Sequence, residues 1–111
     1  MNIREYNKFI QYHFSKEKAG ITQEEEKKFE NFIYKNKDYL YSRLFFEYTQ
    51  IEIDDRSAHI FLRDVLENKK AMEKILQTEI DFRVAFLDYL IRNIKKITEV
   101  SEPRIIEDKI F

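Results

Sequence analysis

The 111-residue chain contains no cysteine, no tryptophan, one glycine (Gly20) and one proline (Pro103). Without cysteine there are no disulfides, thiolate zinc sites or cysteine nucleophiles. Residues 1–20 also lack a signal-peptide pattern, and together these features point to the cytoplasm. The scarcity of glycine and proline excludes more. Sheets need tight turns, and turns need residues that tolerate positive φ or fix it near −65°. An all-β or doubly wound chain of this length would carry several, whereas helices do without them. A single glycine leaves no glycine-rich phosphate cradle, and Ser15, Ser42, Ser57 and Ser101 lack the sharp glycine turn that exposes a nucleophilic serine. No apolar run approaches the ~18 residues of a membrane span. Charge of one sign is missing too. Twenty Lys and Arg stand against 21 Asp and Glu, for a net charge of −1, which gives no global field to draw in nucleic acid or an anionic membrane.

What is present is helical pattern. Hydrophobic residues make up 43% of the chain and aromatics 15%, enough for one core. The abundance of Glu, Lys and Ile without Cys resembles thermophile composition. Ile3, Tyr6, Phe9, Ile10 and His13 form one stripe of a first helix expected over Met1–Ala19, with Gly20 as its left-handed cap. Thr22-Gln23-Glu24-Glu25 is a capping box opening a second helix, whose buried face is Phe29, Phe32 and Ile33. Asn36-Lys37-Asp38 marks a break, with Asp38 as the expected cap of the next helix. From Tyr39 to Ile53 the apolar residues fall on two stripes: Tyr41, Leu44, Phe45 and Tyr48, then Tyr39, Phe46 and Ile53 at seven-residue spacing.

Asp54-Asp55 caps a helix bearing Ala58, Phe61, Leu62, Val65 and Leu66, which Asn68 is expected to end. Thr78–Asp81 offers another cap. The last long helix is expected from Glu79 to about Ile97 and at the centre of the bundle. Ile80, Val84, Leu87, Ile91 and Ile94 alternate four and three apart, the coiled-coil spacing, and Phe82, Phe86, Tyr89 and Leu90 widen that face. Glu102-Pro103 interrupts it. No internal repeat is evident. The expected architecture is all-α: a small bundle of four to six mostly antiparallel helices over residues 1–100, able to dimerise, followed by a helical segment or linker at 101–111.

Chemistry-bearing clusters are sparse. His13 lies on an apolar stripe, as expected of a histidine at the edge of a core. His13/Glu17 and Asp55/His59 have the i,i+4 spacing of paired ligands, but two histidines cannot furnish a helical di-iron site. The carboxylate runs Asp54/Asp55 and Glu24–Glu26 are explained as helix caps. No catalytic residue, metal site or cofactor is therefore expected. Arg92, Lys95 and Lys96 share a helix face as a basic patch, one of several clusters that acidic neighbours interleave. The wide apolar arcs give a candidate interaction surface of Tyr39, Phe46, Ile53, Phe82, Phe86 and Tyr89, for a homodimer or a protein partner.

The function expected is a non-catalytic sensory, regulatory or dimerisation module of a cytoplasmic bacterial signalling protein. Ser101-Glu102-Pro103-Arg104-Ile105-Ile106-Glu107-Asp108-Lys109-Ile110-Phe111 resembles the linkers that enter the catalytic domain of bacterial diguanylate cyclases. The resemblance covers eleven residues, includes none of that family's catalytic motif, and implies a position N-terminal to such an output domain. The alternative is a small helical subunit of a nucleoprotein or viral assembly that binds nucleic acid or protein.

Overall fold

Two capping boxes and three aspartates set where the described helices of this chain begin. The computed structural model describes residues 1–16 and 20–100, and among these there are five α-helices and no strand: α1 (Ile3–Ser15), α2 (Gln23–Lys35), α3 (Leu40–Thr49), α4 (Asp55–Leu76) and α5 (Phe82–Val100). The protein is an all-α helical bundle. Within it the chain divides into two compact units, Met1–Leu40 and a second from Tyr41 onward. None of the described helices is long and apolar enough to cross a membrane.

In the first unit Asn2 caps α1 and Thr22 caps α2, each accepting from the amide of the glutamate three residues on. Glu5 and Glu25 return the bond to the amides of Asn2 and Thr22. The same glutamates also reach across. Lys28 Nζ on α2 lies 3.1 Å from Glu5, and Lys8 Nζ on α1 lies 3.0 Å from Glu25. Asn2/Thr22, Glu5/Glu25, Lys8/Lys28 and Phe9/Phe29 thus play matched roles in the two helices. Between the helices Phe9 meets Phe29 and Phe32 edge-on, with ring centroids 5.3 and 5.5 Å apart.

In the second unit Asp54 caps α4, its carboxylate accepting from Ser57 N at 2.9 Å. Asp55 serves a different helix. Its Oδ1 accepts from the amides of Tyr41 and Ser42, at 2.8 and 3.1 Å, in the first turn of α3. The expected cap, Asp38, lies in the turn before α3. Helix α4 runs through Asn68 rather than ending there. The amide group of Asn68 donates to Ala85 O and to Asp88 Oδ2 on α5, and its oxygen accepts from Arg92. The interior is aromatic: Phe45 packs on Phe61 and Phe86, and Tyr48 stacks on Phe86 at 5.2 Å.

With glycine scarce, three helices end on other residues in the left-handed region: Lys16 (φ 59°), Gln50 (φ 60°) and Gln77 (φ 52°). The cap of α1 is Lys16, four residues before the expected Gly20, which also has positive φ (78°) in the following turn. Each non-glycine cap costs about 1 kcal/mol of backbone strain.

Candidate functional site

Helix α5 starts at Phe82 rather than Glu79, because Asp81 takes the capping position. Its Oδ1 accepts from Arg83 N at 2.8 Å and its carbonyl from Val84 and Ala85. The Arg83 amide bond, reinforced by the Arg83 guanidinium, holds the Asp81 carboxyl below the usual range despite some desolvation. At the other end, Asn93 leaves helical geometry (φ −124°, ψ 20°) and breaks the helix. Its side-chain amide donates to Tyr89 O at 2.9 Å, where a helical backbone amide would bond. A regular helix therefore spans Phe82–Arg92, with a second piece continuing to Val100.

At about 100° per residue, this helix is apolar on two opposite sides. One side carries Phe82, Ala85, Phe86 and Tyr89, all buried in the core of the second unit. Tyr89 OH donates to Asp64 Oδ2 at 3.1 Å, and burial together with that carboxylate pushes its pKa up to about 12. The other side carries Val84, Leu87 and Ile91, and Ile94 follows beyond the break. These four are 52–68% exposed. Ile75 and Leu76, at the end of α4 that leads into α5, are exposed as well.

This arrangement inverts the sequence expectation for α5. Phe82, Phe86 and Tyr89, expected on the interaction surface, form the core instead, and the coiled-coil-spaced Val84, Leu87 and Ile91 that they were to widen face outward. Nor is α5 central, since only one side of it is buried. Of the six expected surface residues, Ile53, Phe82, Phe86 and Tyr89 are buried. Phe46 is half-buried, with the Arg43 guanidinium 5.8 Å from its ring centre. Tyr39 is exposed but precedes α3, and Ile53 follows its end, so the seven-residue spacing of Tyr39, Phe46 and Ile53 does not trace one helix face. The surplus apolar surface belongs to Val84, Leu87, Ile91 and Ile94. The signal for it was in the sequence, in two apolar stripes set half a turn apart.

Polar groups flank the stripe. Asp88 Oδ2 accepts from Asn68 and from Arg92, whose Nη2 is 2.7 Å away, and these two bonds hold the Asp88 carboxyl below its ordinary value, the Asn68 bond most. Arg92 is thus committed to Asp88 and Asn68. Lys95 and Lys96 are exposed but lie beyond the break at Asn93, so the three do not share the regular helix face their spacing implied. His13 stacks on Phe9 at 5.5 Å, and the His59 ring lies 4.4 Å from that of Tyr41. Glu17, the i,i+4 partner of His13, and residues 101–111, which carry the linker resemblance, lie outside the described residues. Among the described residues no three His, Asp or Glu side chains gather into a metal-binding group. No family model, no curated protein and no solved structure matches the chain.

Proposed function

We propose that this chain is a non-catalytic interaction module, of regulatory or assembly type, that binds a protein through the outward stripe of α5. The supporting observation is the exposed row Val84, Leu87 and Ile91 on a helix whose opposite side is already committed to the core. An isolated exposed leucine is ordinary, but an aligned row of three large aliphatic side chains, with Ile94 exposed just beyond the break, is the mark of a contact surface. Each is more than half exposed, so covering it adds roughly 1 kcal/mol per side chain. Association itself costs about 4–15 kcal/mol, so the row suits a reversible contact, as regulation requires. The mixed charge of the chain favours a protein over a polyanion as the partner.

A photo-reactive amino acid placed at Ile91, in the cells that make the protein, tests this directly. A discrete covalent adduct is expected at Ile91 and none at Glu67, an exposed position on α4. The same background of products at both positions would remove the case for a binding face.

A further inference from the structure

The spacing and flanking charges of α5 identify the partner more narrowly. We infer that the stripe is covered by a second copy of this chain, with the two α5 helices side by side, parallel and in register. This inference rests on the stripe being a binding face.

Val84, Leu87 and Ile91 are three and four residues apart on the regular part of the helix, and Ile94 follows after three more. That alternation keeps a seam of side chains facing a neighbouring helix of the same repeat. A second copy carries such a repeat by construction, and a twofold pairing brings each layer against its own counterpart. The charges then select the direction. Arg83 and Asp88 lie on opposite flanks of the stripe, five residues apart in sequence. In a parallel pair, residues with this offset face one another across the seam, so Arg83 of one copy meets Asp88 of the partner subunit, twice by symmetry. An antiparallel pair puts like flanks together, and the Arg83 flank of the regular helix offers only Leu90 and no acid.

Both groups are available for such a pairing. Among the described residues the Arg83 guanidinium is held by the exposed contact of its Nε with Asp81 at 3.3 Å, a weak tether. The bonds of Asp88 to Asn68 and Arg92 end on Oδ2, which leaves Oδ1 to accept from across the seam. The break at Asn93 restricts regular contact to three layers. The dimer is accordingly weak beside a standard interface of about 1,600 Å², with a dissociation constant on the order of 10–100 μM.

Because the chain has no cysteine, Val84→Cys, Leu87→Cys and Ile91→Cys each introduce a unique thiol at an exposed position. Sedimentation of the purified full chain from about 5 to 500 μM should show a reversible monomer–dimer equilibrium. Mild oxidation should cross-link each single-cysteine variant to itself, since facing Cα atoms in a parallel pair fall near the ~5.5–6 Å that a disulfide spans. Arg83→Glu sets a glutamate against Asp88 of the partner subunit and should weaken dimerisation about 3- to 10-fold, less so at 1 M salt. Leu87→Glu should abolish the dimer while its helical circular dichroism stays unchanged.

Cross-linking of Leu87→Cys only with Ile91→Cys, and of neither with itself, would mean an antiparallel pair and overturn the proposed arrangement. A monomer throughout the concentration range overturns the second-copy inference. If Ile91 then still captures a different protein in cells, the broader reading stands without it. If Ile91 captures nothing, both fall.

Discussion

Removing the carboxylate of Asp55 separates two accounts of how α3 starts. By local sequence rules Asp38 is the cap, two residues before the helix. In the structure, Asp55 Oδ1 takes the Tyr41 and Ser42 amides at 2.8 and 3.1 Å from the first turn of α4. Asp55→Ala deletes both charge-assisted bonds and leaves two helix-end amides without that acceptor. Loss of a cap costs ~0.5–2 kcal/mol, and a hydrogen bond to a charged group is worth ~1.5–3 kcal/mol. Loss of an acidic residue from the first turn of α4 adds ~0.3–1 kcal/mol. Water recovers part of this at a half-buried site, so the expected total is about 2–4 kcal/mol. With a urea dependence of about 1–3 kcal/mol/M, the unfolding midpoint followed by circular dichroism should fall by roughly 1–2 M. Asp55→Asn keeps an acceptor oxygen without the charge and should lose about half as much. Asp38→Ala should stay within about 0.5 kcal/mol of the unmodified chain. If Asp38→Ala costs as much as Asp55→Ala, or if Asp55→Ala costs under 1 kcal/mol, α3 is capped locally and the structural argument fails.

The same assay checks several further expectations. Gln77→Gly and Lys16→Gly relieve left-handed strain in residues with φ 52° and 59°; each should raise stability by about 0.5–1 kcal/mol, and a loss would mean that those side chains make contacts worth more than the strain. Leu62 is fully buried, so Leu62→Ala should cost about 2–5 kcal/mol by leaving a cavity, and a loss under 1 kcal/mol would show that the core collapses around it. Asp54, Glu73, Asp81 and Asp88 all have folded-state pKa values held down by hydrogen bonds, chiefly from Ser57 N, Ile80 N, Arg83 N and the Asn68 side chain. Their stabilisation is complete above the ordinary carboxylate range and drains away as pH falls through it, so thermal midpoints should decline below about pH 4.5, less steeply in Asp54→Asn. Tyr89 has the opposite sign. Its pKa is raised to about 12, so its contribution is intact below about pH 10 and lost as pH rises towards 12; absorbance at 295 nm should show it ionising late, together with unfolding.

Features that depend on a few neighbouring residues were legible in the sequence. Thr22 and Glu25 form the capping box, Asp54 caps α4, and the chain turns at Asn36–Asp38. Near-absence of glycine and proline together with 3.6-residue periodicity was sufficient for an all-α fold, because caps and stripes are written at spacings of three and four. Tertiary structure decided what those spacings leave open. Asn68 carries the local signature of a helix end, yet α4 continues because its side chain is used up across the helix pair by Ala85, Asp88 and Arg92. Asp55 caps a helix that begins fifteen residues before it, a pairing no local rule contains. The two apolar sides of α5 were both visible, but periodicity only counts stripes. Which stripe goes inward depends on what faces it, and the rings of Phe45, Tyr48 and Phe61 match Phe82, Phe86 and Tyr89. Aromatic packing claimed that side of the helix, and Val84, Leu87, Ile91 and Ile94 were left facing out.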